Sequence, residues 1–122
     1  MGGVDIKING LDRVVKNMNS TDRHFIAKEL NVAITRSILM IERTAKQLVP
    51  VDTSNLQHSI SSTFKDLYAF TQPKANYANF VEFGTSKMRA KPYMIPAAEQ
   101  SKPFIQEEFD KAIDKITNNL TK

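Results

Sequence analysis

The chain of 122 residues contains no cysteine. Disulfides and thiolate chemistry are therefore excluded, and the composition fits a reducing compartment. Long apolar runs are lacking as well, because no stretch reaches the roughly 18 residues that a transmembrane helix needs. A basic-then-apolar leader is also missing, so we expect neither a membrane span nor a signal peptide.

Catalytic motifs are scarce too. Neither of the two histidines, His24 and His58, has a His, Cys or Glu at metal-ligand spacing, so we expect surface or structural roles for both. No serine lies in a nucleophile elbow, and the segment Gly84-Thr85-Ser86-Lys87 lacks the upstream glycine of a phosphate-binding loop. We therefore expect no enzyme activity, no metal, no cofactor and no small-molecule substrate.

What is present indicates one globular domain over residues 1–122, because 41% of the residues are apolar and 25% are charged. The formal net charge is +4 at pH 7. A basic chain raises the alternative of a small nucleic-acid-binding protein, but the excess charge is spread along the chain and is not massed on one element. Charge alone therefore does not select nucleic acid as the partner.

Hydrophobic periodicity predicts an α+β fold, in which a long N-terminal-half helix and a C-terminal helix pack on a small antiparallel sheet. The long helix is expected from about Thr21 to Leu48, since Pro50 prevents its continuation. One strand is expected at 4–8, where apolar and polar residues alternate. Two more are expected on either side of a Lys65-Asp66 turn.

Two further helices are predicted with their caps. Asp52 or Thr53 is expected to cap a short helix whose apolar side includes Leu56 and Ile60. Residues 92–96 are expected to form an apolar connector to the C-terminal helix. That helix is expected to use Ser101 as its N-cap, and Pro103 is expected in its first turn or at a kink.

The stretch from residue 76 to 93 combines aromatic residues, one acid, a glycine and spaced cations. Its apolar side chains at positions 77, 80, 81 and 83 are expected to be buried, and Gly84 is expected to adopt a positive φ. The pattern favours a short helix with Gly84 as its C′ residue, and a strand is the alternative. The residues expected to form this structural corner are Tyr77, Val81, Glu82, Phe83, Gly84 and Thr85.

Glu82 lies among the aromatic residues of this corner. Desolvation there would favour a general acid. The simpler interpretation is that Glu82 binds nearby backbone groups and holds the Gly84 turn.

Lys87, Arg89 and Lys91 alternate with other residues and are expected to face solvent. With Tyr77 and Tyr93 nearby, they suit contacts to phosphates and stacking on bases. They suit ion pairs with an acidic partner subunit equally well. A merely solvated loop is the third interpretation.

Three blocks of the sequence, taken together, resemble a known family. They are Leu48-Val49-Pro50-Val51-Asp52-Thr53-Ser54-Asn55-Leu56 with Ser59-Ile60, then Tyr77-Ala78-x-x-Val81-Glu82-Phe83-Gly84-Thr85, then Met88-x-Ala90-Lys91-Pro92-Tyr93-x-x-Pro96-Ala97. The resemblance is to the small neck or tail-completion proteins of long-tailed bacteriophages, the Hong Kong 97 gene-product-10-like family. The usual pattern of that family is P-V-D-T-G-x-L-x-x-S-I, then Y-A-x-x-V-E-x-G-T, then a-R-P-F-x-x-P-A.

The chain departs from this pattern at three positions. Ser54 replaces the usual glycine, which indicates a capped helix start in place of a turn with positive φ. Lys91 replaces the usual arginine and loses the capacity for bidentate pairing, although it keeps the charge. Tyr93 replaces the usual phenylalanine, which is a mild change.

The resemblance implies a non-catalytic α+β subunit in the connector between the portal-bearing head and the tail. Its implied partners are other copies of itself in a ring, neighbouring phage neck and tail proteins, and DNA passing through the channel; a monomer is compatible with the free state. The implied location is the virion, after assembly in the bacterial host cytoplasm. The residues expected to face another subunit or DNA are Asp52, Thr53, Asn55, Lys87, Arg89 and Lys91.

Overall fold

The computed structural model describes residues 2–50 and 54–121, and these form the α+β fold that the sequence predicts. Two long helices pack against each other and on a small antiparallel sheet, and three short helices connect the larger elements. In chain order the elements are β1 (Val4–Lys7), α1 (Leu11–Val15), α2 (Ser20–Leu48), α3 (Ser54–Ser59), β2 (Ile60–Lys65), β3 (Tyr68–Pro73), α4 (Ala78–Phe83) and α5 (Met94–Leu120).

Helix α2 is the spine of the domain. Asn19 caps it, since the Asn19 side chain accepts a hydrogen bond from the Asp22 N–H at 2.8 Å. The helix ends at Leu48, one turn after Ala45, whose carbonyl oxygen accepts the Val49 N–H at 3.0 Å. The predicted helix is thus confirmed with bounds that differ by one residue at its start. Its buried face contacts the sheet on one side and α5 on the other.

The sheet has three strands in the order β1-β3-β2, and both pairings are antiparallel. Lys65 pairs with Tyr68, so the turn of the β2–β3 hairpin is Asp66-Leu67 and the predicted Lys65-Asp66 turn was wrong by one residue. Leu67 has φ 54°, which is uncommon for a residue other than glycine. The side chain of Asn31 in α2 holds this turn, because its oxygen accepts the Leu67 N–H at 2.7 Å.

Helix α5 begins at Met94, which contradicts two expectations. The predicted connector at 92–96 lies partly inside the helix, and Ser101 is a buried residue of its interior and not its N-cap. Pro96 falls in the first turn, where no N–H is needed, whereas Pro103 lies inside the helix. The physical reason for the early start is a cap from another part of the chain, described below.

Helices α2 and α5 run antiparallel, and two acids are buried between them. Glu108 binds the Arg36 guanidinium at 2.9 Å, and Glu29 lies 3.8 Å from the Lys115 ammonium. The apolar core lies between this helix pair and the sheet. Among the described residues, no helix is long and apolar enough to cross a membrane.

The first block of the resemblance is only partly described. Asp52 and Thr53, the expected caps and interface residues, lie outside the described residues. Helix α3 begins at Ser54, in agreement with the expected helix start there. Leu56 is fully buried as expected, but Ile60 belongs to β2 and not to the short helix.

Candidate functional site

The corner between the two halves of the fold is built on α4, which ends at Gly84. Gly84 has φ 76°, and its N–H donates to the Phe80 carbonyl oxygen at 2.8 Å. A Cβ at this position would lie 2.7 Å from the Ala90 nitrogen and 2.8 Å from the Met88 carbonyl oxygen. Glycine is therefore required both for the positive φ and for the close return of the chain. The predicted short helix and the positive φ are confirmed.

Residues 85–91 form a loop that backbone hydrogen bonds close at its base. The Thr85 N–H donates to the Met88 carbonyl oxygen at 2.9 Å. The Lys91 N–H donates to the Val81 carbonyl oxygen at 2.8 Å, which ties the end of the loop to α4. The loop is thus anchored at its base by main-chain contacts.

The three cations of this loop, Lys87, Arg89 and Lys91, are all exposed, as predicted. None of them takes part in an ion pair within residues 2–50 and 54–121. The lysines of α5, in contrast, are paired: Lys111 lies 3.3 Å from Glu107, for example. The loop therefore presents positive charge that the described part of the chain does not neutralise.

Glu82 lies beneath this loop and is only 2% exposed. Its carboxylate accepts three backbone N–H groups at the start of α5, those of Tyr93 at 3.0 Å, Met94 at 2.9 Å and Ile95 at 3.2 Å. These are among the N–H groups that a helix start leaves without intrahelical partners, and a negative charge there is also favoured by the helix dipole. Glu82 is thus the long-range cap of α5.

This arrangement decides between the two interpretations of Glu82. A carboxylate occupied by three backbone donors and shielded from solvent is poorly placed to act as a general acid. The expectation that Glu82 binds backbone groups is confirmed. The expectation that it holds the Gly84 turn was wrong, because main-chain bonds hold that turn and Glu82 reaches α5.

Tyr93 completes the buried part of the corner. It has no exposed surface, and its hydroxyl donates to the Ala78 carbonyl oxygen at 3.2 Å. Burial, the negative charge of Glu82 and the nearby Tyr77 together raise the pKa of Tyr93 from 10.0 to about 12. The expectation that Tyr93 stacks on bases is therefore wrong, since its ring belongs to the core.

The large apolar residues of α4 and of its N-cap position divide between the two sides of the helix. Tyr77 and Val81 pack on the core, as expected. Phe80 and Phe83 are 57% and 62% exposed, which overturns the prediction that both are buried. The two positions are three residues apart and share the outer face of a helix that has only six residues. Sequence reasoning treated every apolar position as buried, whereas so short a helix can bury only one side.

The remaining predicted site residues, Asn55 and Thr85, lie in different parts of the fold. Asn55 is exposed on α3, which packs against α2 and the sheet, and no hydrogen bond or ion pair within the described residues joins it to the basic loop. Thr85 is exposed, and its hydroxyl accepts the Lys87 N–H at 3.2 Å. Among the described site residues, those of the corner therefore lie together with the three cations, whereas Asn55 does not.

Within residues 2–50 and 54–121 there is no group of three or more His, Cys, Asp or Glu residues that could hold a metal ion. His24 and His58 are both exposed. A surface groove of about 420 Å³ lies along 72–79, and Lys74 is the one ionisable residue that lines it.

Comparisons with protein-family models, with curated proteins and with solved structures gave no match to this chain.

Proposed function

We propose that the chain is a structural virion-assembly protein of a tailed phage or prophage, which joins or completes the head–tail connector through ring-forming contacts between subunits. The three sequence blocks that resemble phage neck proteins are the starting point. In the fold, the second and third blocks are joined directly, because Glu82 of one caps the helix that begins in the other. This connection is the observation that carries the proposal.

The connection explains why these residue types belong together. Glu82 and Gly84 fix the end of α4 against the start of α5. The chain between these two helix ends forms the exposed loop at 85–91. A loop whose base is fixed in this way pays little conformational entropy when it binds a partner. The corner has a fixed base, exposed phenylalanines and cations that lack ion-pair partners among the described residues. These features suit it to bind another protein and not to catalyse a reaction.

The proposal predicts a defect in particle assembly. The triple variant Lys87→Glu, Arg89→Glu and Lys91→Glu should fold normally, because all three side chains are exposed and have no ion-pair partner among the described residues. In the strain that encodes the chain, this variant should yield separate filled heads and tails in electron micrographs, whereas the wild-type chain should yield joined particles. A matched variant, Lys16→Glu with Lys65→Glu, changes exposed cations outside the corner and should assemble normally. Normal tailed particles from the triple variant would contradict the proposed role of the loop.

Nucleic-acid binding is the second candidate function. The observation that favours it is that Lys87, Arg89 and Lys91 are exposed and have no ion-pair partner within residues 2–50 and 54–121. Three phosphate contacts on duplex DNA would give a slope of about −2.7 in a plot of log affinity against log salt concentration. Mobility-shift titrations over a range of salt concentrations measure this slope. Binding that is absent near physiological salt would count against this candidate.

A further inference from the structure

Two exposed regions of the chain complement each other in charge. The first, here called the apolar–basic surface, consists of Phe83, Met88, Lys87, Arg89 and Lys91. Phe83 is 62% exposed and Met88 41% exposed, and the three cations have no ion-pair partner among the described residues. Because the Met88 carbonyl lies against Gly84, the residue after Phe83, the loop and the end of α4 form one continuous surface.

The second region, here called the acidic face of α5, consists of Asp110, Ile113 and Asp114. These residues are three and four positions apart and therefore share one side of the helix. Ile113 is 52% exposed, and neither aspartate has an ion-pair partner within residues 2–50 and 54–121. Helix α5 carries five acids and three lysines, so its net charge is −2, although the whole chain is +4.

The lysines of α5 do not neutralise this face. Lys111 pairs with Glu107 and Glu108, Lys115 reaches Glu29 on α2, and Lys102 pairs with Glu99. Among the described residues, the acids of α5 without an ion-pair partner are therefore Asp110 and Asp114, and Asp110 accepts a hydrogen bond from the neutral Gln106 amide at 3.0 Å. Each of the two regions thus has an exposed apolar centre with charges of one sign around it, and the signs are opposite.

We propose that the apolar–basic surface of one copy docks on the acidic face of α5 of a second copy. The two regions lie near opposite ends of α5, about 28 Å apart at 1.5 Å per residue, so one chain cannot satisfy both by itself. A contact between two different surfaces is head-to-tail, and such contacts either close into a ring or continue as a filament. The inference rests on the proposed function and names the surfaces through which its ring would form.

The apolar residues supply most of the expected affinity, and the charges determine which surface pairs with which. Exposed ion pairs are worth at most about 1 kcal/mol each and weaken with salt. Burial of Phe83 and Met88 against Ile113 removes apolar surface from water in both copies. The charges oppose the alternative pairing of two identical basic surfaces, since like charges repel across an interface.

Cross-linking tests this contact directly, because the chain has no native cysteine. A Met88→Cys chain should form the mixed disulfide with an Ile113→Cys chain about tenfold faster than with a Val14→Cys chain. Val14 is a matched control, since it is apolar and 77% exposed on α1. Equal rates, or a faster Met88→Cys homodimer, would overturn the proposal.

Charge exchange provides a second test by sedimentation at high protein concentration. Reversal of Lys87, Arg89 and Lys91 to Glu should abolish association, and so should reversal of Asp110 and Asp114 to Lys. All five changes in one chain should restore it. Failure of the combined variant to recover, or loss of DNA binding as the only effect of the basic reversal, would overturn the proposal.

The two proposals fail in different ways. If the basic reversal blocks particle joining but no cross-linking preference is found, the contact between copies is wrong and another neck protein is the partner. If the cross-link forms but the reversed chain assembles normal particles, the contact exists and the proposed function is wrong.

Discussion

The Glu82 carboxylate accepts the Met94 N–H at 2.9 Å, so the last turn of α4 supplies the cap of helix α5. Tyr93, its first partner, lies 11 positions further along the chain than Glu82. Since the bonds are made through buried atoms, the position of the exposed loop between these residues depends on them. The stability of the fold and the presentation of the loop therefore share one group.

Replacement of Glu82 tests this relationship. Glu82→Ala would leave three N–H groups without their acceptor, and we expect the free energy of unfolding to fall by about 3 kcal/mol. Glu82→Gln keeps one oxygen that can accept, so a loss of about 1.5 kcal/mol is expected. Urea denaturation measures both. Glu99→Gln, which changes an exposed acid, is the control and should stay within about 0.5 kcal/mol. An unchanged unfolding midpoint for Glu82→Ala would contradict the capping role.

The long-range cap also shows where sequence reasoning reached its limit. Periodicity was enough to predict α2 and the α+β class, because a buried helical stripe repeats locally. The predicted start of α5 was wrong. The side chain that caps this helix is distant in sequence, and the local pattern around Ser101 resembled an N-cap. The exposure of Phe80 and Phe83 was not predicted for a related reason. The apolar character of a residue does not determine whether another element of the fold covers it.

Gly84 and Gly10 offer a matched pair of glycine substitutions. Both have positive φ, at 76° and 80°, so a substituted residue with a Cβ would be strained at either position. A Cβ at Gly84 also meets backbone atoms at 2.7 Å, whereas at Gly10 it meets only the end of the Arg13 side chain at 3.3 Å. We expect a loss of about 1 kcal/mol for Gly10→Ala. For Gly84→Ala we expect about 3 kcal/mol.

Thermal or urea unfolding distinguishes these two substitutions. Equal losses would mean that the close return of the chain at Ala90 does not constrain Gly84.

Tyr93 makes stability depend on pH in the alkaline range. Its pKa is raised from 10.0 to about 12 in the folded chain, so the unfolded chain loses this proton first. Stability should therefore fall as the pH rises from 10 towards 12, with a slope that approaches about 1.4 kcal/mol per pH unit. Below pH 10 the contribution should be complete.

Tyr93→Phe is the matched variant for this prediction. It lacks the ionisable hydroxyl, so its unfolding free energy should decline less steeply over the same range, although Tyr68 and Tyr77 remain. Urea titrations at about pH 9 and about pH 11 provide the comparison. Identical pH slopes for the two chains would show that burial of the Tyr93 hydroxyl has no energetic consequence.

Phe80 and Phe83 should matter for association and not for folding. Because both are more than half exposed, the double variant Phe80→Ser with Phe83→Ser should keep the unfolding free energy within about 0.5 kcal/mol. Val81→Ala changes the buried side of the same helix and should cost about 2 kcal/mol. A large loss of stability in the double serine variant would mean that the exposed phenylalanines stabilise the isolated fold.

The copy number of the chain in purified particles tests the structural role most directly. Quantitative mass spectrometry of tailed particles from the encoding strain, separated from host protein by density gradient, measures it relative to a protein of known copy number. If the chain forms a ring in the connector, it should be present at a fixed number of copies in tailed particles. It should also remain after washes in high salt. Absence from the particles, or a variable amount that salt removes, would contradict the account.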